Sequence, residues 1–323
     1  MPMCKNLLSA KKLSEEILTK ITDELSAVFT EKEFDKSFLE NVCVYACGSL
    51  ARYELVKDSD LDLFFIYNTE ELISNLNKYN FFSALHKASK KIGFGDPSKQ
   101  GEYWDFISKK DLLDIGSRKE DYNNSLTARL LLILESKPIF NEQLYDNIVK
   151  EVIEKYFVDY EGHEGDFYPM YLINDIFRYW YTLTLNFEFR RNKNDTPNDK
   201  CWKRLKLKYA RLITCFSFIA CLFEKDITRE KVIAIIKKTP LERLDQIVEL
   251  YINQKELSSV VSEVKTKYSE FIRLRKDENP SYWEPEDNKK SAFKNADDFH
   301  NAVIRLMGEI YKLNPELKNK LDF

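Results

Sequence analysis

The spacing of apolar positions changes along the chain, and each change predicts an element. Leu13, Ile17, Ile21, Leu25 and Val28 recur at intervals of three or four, the spacing of one helix face over residues 10–30. Asn41 to Cys47 is a short β-branched, aromatic and small apolar run; it predicts a strand, broken by Gly48-Ser49. Leu61 to Tyr67 is apolar at nearly every position, as a strand buried on both faces requires. Glu70 to Lys91 reads as a helix with Leu72, Leu76, Phe82 and Leu85 on or near one face, and Glu102 to Ser108 as a third strand. Leu126 to Phe140 predicts a helix running into a strand whose extent Pro138 limits.

Beyond about residue 150 the period is helical throughout. Helices are expected over Met170–Phe189, Trp202–Leu222, Arg229–Lys237, Pro240–Asn253, Glu256–Arg275 and Ala296–Leu313. Gly162 to Asp166 and Asn192 to Lys200 read as loops, and Asn279 to Asn295 as a polar, proline-bearing surface stretch. The expected organisation is an α/β (α+β) domain with a small mixed sheet over 1–150, followed by an all-α helical domain over 151–323.

Composition narrows the function classes. The 323 residues suffice for about two domains, and with 44% hydrophobic residues a core is assured. Fifty Lys and Arg against 53 Asp and Glu leave a charge of -3, which argues against a uniformly basic nucleic-acid coat while a local basic face remains open. No run approaches the ~18 apolar residues of a membrane span. The N-terminus lacks a sustained apolar stretch, so no secretory signal is expected and the protein is expected to be cytoplasmic. Six cysteines without a CxxC read as small core residues in a reducing compartment, and three scattered histidines give no support for zinc.

One segment concentrates polar chemistry between two apolar runs: Cys47-Gly48-Ser49-Leu50-Ala51-Arg52-Tyr53-Glu54, then Asp58-Ser59-Asp60-Leu61-Asp62-Leu63-Phe64-Phe65-Ile66. It reads as strand, tight turn, a helical turn or two, polar loop and strand. Gly48 lets the backbone approach a ligand closely. Ser49 stands where a helix begins, so its hydroxyl and the unpaired N–H groups can hold a phosphate. Asp60 and Asp62, two apart on a strand, project from one face. Adjacent dry carboxylates repel, and a divalent cation relieves this, Mg²⁺ with a nucleoside triphosphate being the common oxygen-ligand case. The bland alternative is that these are loop and strand-edge acids of a structural domain, although burying them unpaired is costly.

This stretch resembles the signature of the DNA polymerase β-type nucleotidyltransferase superfamily: Gly-Ser, a spacer, then Asp-x-Asp. Gly48-Ser49 and Asp60-Leu61-Asp62 match it. The string GSLARYEL…DSDLDLFFIY is most similar to the nucleotidyltransferase domain of bacterial protein uridylyltransferases of nitrogen signalling and their uncharacterised relatives, which read G-S-x-A-R-G-E-L before S-D-L-D. Here Tyr53 stands where a glycine is usual, and the resemblance covers only residues 47–66. It implies transfer of a nucleoside monophosphate from an NTP to an acceptor hydroxyl with release of pyrophosphate. Asp60 and Asp62 would bind two Mg²⁺ (or Mn²⁺) ions, and Gly48 and Ser49 would cradle the phosphates with Arg52 or Lys57 assisting. The resemblance also implies a third carboxylate on a neighbouring strand. Asp105 is the first choice and Glu102, on the opposite face, the second; the alternative for Asp105 is a pair with a lysine or arginine at a sheet edge. A protein or small-molecule acceptor is expected, near-neutral charge weighing against a long RNA, and no membrane partner. The rival is a catalytically degenerate nucleotide-binding or partner-binding regulator.

A second cluster lies in the helical half, in Asn174-Asp175-Ile176-Phe177-Arg178-Tyr179-Trp180 and in Trp202 to Arg211. Asn174 and Arg178 share a face. Lys206 is four after Trp202, three before Tyr209 and seven before Ile213, which puts it on the apolar side of one continuous helix. Arg178 and Lys206 are therefore candidates to contact triphosphate in a cleft between the halves. The alternative is a snorkelling lysine and ordinary ion pairs with Asp175 and Glu188. Arg204 and Arg211 read as a solvated face, and Trp180 and Trp202 as core packing.

Overall fold

The computed structural model describes residues 5–31, 34–57, 59–69, 73–95, 104–116, 124–190, 196–276, 280–283 and 285–315. The protein is mostly helical with one small mixed sheet, and it divides into two compact units, Leu8–Lys155 and Met1–Leu7 with Tyr156–Phe323.

In the first unit, helix α1 (Lys5–Glu31) buries Ile17, Ile21 and Leu25, the residues its four-residue spacing singles out. A short helix α2 (Lys36–Glu40), capped by Asp35, leads into strand β1 (Val42–Ala46), every residue of which is buried. After the one-turn helix α3 (Gly48–Ala51) the chain returns as β2 (Leu63–Tyr67). Helix α4 (Asn75–Lys91) is capped by Ser74, whose hydroxyl accepts the Asn77 N–H at 3.1 Å. Then come β3 (Phe106–Ser108), α5 (Lys109–Leu113), α6 (Ser125–Leu134), β4 (Lys137–Phe140) and α7 (Glu142–Tyr156).

The sheet order is β3-β2-β1-β4. β1 runs antiparallel to β2 and β4, pairing Ala46 with both Leu63 and Lys137, while β2 and β3 are parallel with Phe65 opposite Phe106. Pro138 is accommodated because β4 is an edge strand and its pairing with β1 shifts register between Val44 and Tyr45. One sheet face packs with α1 and α4 over an aromatic cluster in which Phe81 stacks on Phe29 at 5.1 Å and meets Phe65 edge-on at 5.8 Å.

The second unit contains α8 (Met170–Arg190), α9 (Pro197–Lys206), a π-helical segment at Leu207–Arg211, α10 (Leu212–Leu222), α11 (Arg229–Ile236), α12 (Pro240–Leu250), α13 (Lys255–Lys276) and α14 (Glu286–Leu313). α9 and α12 begin with proline and a capping box, Thr196 with Asp199 and Thr239 with Glu242. Tyr209 stacks between Phe271 and Phe299, each 4.6 Å away.

Several expectations are corrected. α7 stands beyond the expected elements, with Ile148, Val149, Val152 and Ile153 forming its buried face. The expected surface stretch 279–295 holds Trp283, 1% exposed and edge-on to Trp202 at 5.1 Å, and from Glu286 it is helix α14. Leu76 is 68% exposed, in the first turn of α4 ahead of its packed face. Glu70 to Leu72, expected in that helix, and Cys4 lie outside the described residues. Among the described residues, no helix is long and apolar enough to cross a membrane.

Candidate functional site

Strand direction decides which polar residues meet. β1 ends where β2 begins, because they are antiparallel, and β3 begins at that same end, because it is parallel to β2. The Gly48-Ser49 turn, the Asp60-Leu61-Asp62 lead-in to β2 and Asp105 just before β3 therefore share one end of the sheet.

The turn and the lead-in are in direct contact. The Cys47 N–H donates to the Asp62 carbonyl at 2.9 Å, extending the β1–β2 ladder by one bond. Gly48 has φ +68, and a Cβ placed on it would stand 2.5 Å from Asp62 Oδ2. The glycine is thus required twice: for its left-handed backbone and for the space that the Asp62 carboxylate fills. Asp60 and Asp62 lie in the extended segment before β2 and not within the strand itself; Asp60 is exposed and Asp62 half-buried. Ser49 is half-buried in α3, and its carbonyl accepts the Glu54 N–H at 2.8 Å, closing the segment into a compact loop. The loop is pinned from below: the Leu55 N–H donates to the buried Ser14 hydroxyl of α1 at 3.0 Å. Lys57 is exposed on the next turn, where the Val56 N–H donates to the Ser59 hydroxyl at 3.0 Å. Asp58 lies outside the described residues.

Arg52 does not take the place expected of it. Its side chain is buried; Nε donates to Glu54 at 2.9 Å, and Nη1 donates to Glu135. Two buried carboxylates claim the guanidinium because a charge moved out of water needs compensation, and this commits Arg52 to holding the loop against the end of α6 instead of meeting phosphate. The signals for this were present: Glu54 two residues on, and an acid closing the apolar run Leu130–Leu134. Tyr53 has φ +60, the left-handed region, which gives a backbone reason for a glycine at that position in the resembled family. Its ring carries the Lys137 ammonium at 5.3 Å and the Lys11 ammonium at 5.4 Å.

Asp105 is exposed at the edge, and Oδ1 accepts from Lys78 at 3.0 Å and from the Phe106 N–H at 2.8 Å. This is the edge-pair alternative, with Lys78 of α4 the partner. Glu102 lies outside the described residues. Asp60 and Asp62 are hard oxygen donors of the kind Mg²⁺ prefers, beside a glycine that leaves room for one of them, so the donor set suits that ion. Among the described residues no three Asp, Glu, His or Cys side chains are grouped as a metal site.

In the helical unit, Arg178 is ion-paired along its own helix with the buried Asp175 at 3.5 Å, and Asp175 also accepts the Tyr156 hydroxyl at 2.7 Å. Asn174 is exposed. Lys206 is exposed, not on the apolar side as the spacing implied. The π-helical segment begins at the next residue and adds a residue to the turn, so Tyr209 and Ile213 are buried out of phase with Lys206. Arg204 lies 4.6 Å over the Phe293 ring, and Trp180 and Trp202 pack edge-on to Phe216 and Trp283.

No protein-family model matches the chain, and no curated protein sequence matches it.

Proposed function

We propose that the protein transfers a nucleotidyl group from a nucleoside triphosphate to the hydroxyl of a protein or small molecule, with Mg²⁺ or Mn²⁺, at the sheet end formed by Gly48, Ser49, Asp60 and Asp62. The observation that carries this is the contact of Asp62 with Gly48: a carboxylate sits in the space of a missing Cβ, directly beside the turn whose hydroxyl can meet a phosphate. The resemblance of residues 47–66 supports the same reading.

Asp60 and Asp62 would hold the metal, which supplies charge neutralisation and activation of the attacking oxygen when bound. Ser49 would donate its hydroxyl to a phosphate oxygen, and Lys57 would supply the positive charge that Arg52, tied to Glu54 and Glu135, does not. Asp105 would join the site only by giving up Lys78. Positioning and charge neutralisation are what phosphoryl-type transfer mainly asks of a protein.

The Asp105–Lys78 pair favours a second reading, a regulator that binds nucleotide without transferring it. Incubation with each labelled NTP, Mg²⁺ or Mn²⁺ and cell lysate separates the two. Label on a protein or a small product, lost in Asp62→Asn, supports transfer and names the acceptor class; label on RNA corrects the acceptor. Nucleotide binding with no transfer supports the regulator. Neither binding nor transfer refutes both.

A further inference from the structure

The opposite end of the sheet has chemistry of its own. There the parallel strands β2 and β3 finish in register, Tyr67 beside Ser108, and a cavity of about 570 Å³ opens, lined among others by Thr69, Ser108, Lys109, Lys110, Asp114 and Lys155. We propose that this cavity is a binding site for a small phosphate-bearing anion, independent of the nucleotidyl reading and at the other end of the sheet from it.

Three features support the assignment. The first is charge: three lysines line the cavity against one acidic residue, Asp114. Lys109 is partly neutralised by Glu151 of α7 at 3.0 Å, but Lys155, one turn further along α7, is exposed and has no acidic partner among the described residues. The second is arrangement. Lys109 and Lys110 come from α5 and Lys155 from α7, so the cations meet a ligand from two elements, and the Lys109–Glu151 pair ties those elements together. Ser108 Oγ accepts the Lys110 N–H at 3.2 Å, a bond that leaves the hydroxyl proton to be donated to a phosphate oxygen. The third is position and size. The crevice beyond the carboxyl ends of parallel strands is where the chain turns away and leaves room for a ligand. The volume falls within the roughly 300–1,000 Å³ of small-molecule sites. Lysine and serine side chains lining one space suit a group that offers acceptor oxygens in every direction, as a phosphate does.

The probe is inorganic pyrophosphate, titrated calorimetrically into the full chain in EDTA, so that the carboxylates at the other sheet end are without metal and repel it. Saturable binding is expected. Lys110→Glu and Lys155→Glu should each weaken it about tenfold or more, the loss of one charge-assisted hydrogen bond. All three altered lysines are exposed, so their variants should fold. Lys150→Glu, the same charge change on α7 away from the cavity lining, should have an effect no larger than about threefold because exposed distant charges are screened. Absence of saturable binding overturns the proposal. So does equal weakening by Lys150→Glu, which would mean bulk charge alone. Undiminished binding in Lys110→Glu and Lys155→Glu together with loss in Ser49→Ala would move the anion to the other sheet end, overturning the cavity site while leaving the transfer reading intact. Failure of NTP transfer in the metal-containing assay bears only on the other site.

Discussion

Replacing Gly48 with alanine tests the contact on which the candidate site rests. Two penalties follow from the structure and they are separable. The backbone at φ +68 is left-handed, which costs a residue with a Cβ about 1–2 kcal/mol. The new methyl would also stand 2.5 Å from Asp62 Oδ2, closer than real contacts allow. Because the obstructing atom is the far end of a side chain, relief comes from rotating the carboxylate away, at about 0.5–1.5 kcal/mol for a displaced rotamer. Gly48→Ala should therefore destabilise by about 2–3 kcal/mol in urea unfolding, read as a lower midpoint at unchanged slope. In an Asp62→Ala background the obstruction is gone, the remaining Asp62 Cβ being an ordinary 3.7 Å away, and only the backbone part should survive. The cycle should show about 1 kcal/mol of coupling, within the range for residues in contact. Equal losses in both backgrounds would refute the packing of Asp62 on Gly48; no loss in either would refute the left-handed turn. Under the proposed activity, Gly48→Ala should also abolish transfer at temperatures where the variant stays folded, since the rotated carboxylate leaves the metal.

Arg52→Ala leaves Glu54 and Glu135 buried without their shared cation and should cost about 3–5 kcal/mol in chemical denaturation; a loss under about 1 kcal/mol would show that Arg52 is not the anchor of the loop. Tyr53→Gly should change stability by less than about 1 kcal/mol, relief at φ +60 offsetting the lost contacts with Lys11 and Lys137, whereas Tyr53→Ile should cost at least about 2 kcal/mol; similar losses in both would mean backbone strain is not what matters there. Burial pushes the Cys43 and Cys221 thiols up to about 12 and raises the Tyr45 hydroxyl as well. These groups must stay protonated in the fold, so their stability contribution is complete below the unfolded thiol value of about 9 and is lost as pH rises toward 12. Each thiol should add up to about 1.4 kcal/mol of loss per pH unit in that window, and Cys43→Ala should flatten the fall measured by melting temperature.

Local periodicity was enough for much of the first unit. α1, β1, β2 and the helix-to-strand passage around Pro138 follow from apolar spacing, because each buries a face that the sequence repeats within a few residues. The chemistry-bearing turn was legible for a related reason: Gly48 and Asp62 lie either side of a short helix and loop, so the ends of β1 and β2 must bring them together. What spacing could not supply was partner choice. Arg52 in a polar stretch looks available to a ligand, and although Glu54 and the acid that closes Leu130–Leu134 are visible in the sequence, their claim on Arg52 is a matter of the fold, which brings Glu135 at the end of α6 to it. Asp105 likewise had two open readings until α4 brought Lys78 to the edge of the sheet.

Lys206 shows a different kind of failure. The spacing places it on an apolar face only if one helical period runs unbroken across residues 202–213, with the same number of residues in every turn. The π-helical segment Leu207–Arg211 breaks the count at the next residue. Trp202 and Leu205 are buried before the break, and Tyr209, Ala210 and Ile213 after it. The extra residue re-aims the second half of the helix so that Tyr209 reaches Phe271 and Phe299, and Lys206 is left on the outside of the turn where the phase changes. π-helical insertions persist where tertiary contacts offset their poorer hydrogen bonding. Here the aromatic stack around Tyr209 is the contact that does so, and deleting one residue from 207–211 should pull Tyr209 out of it.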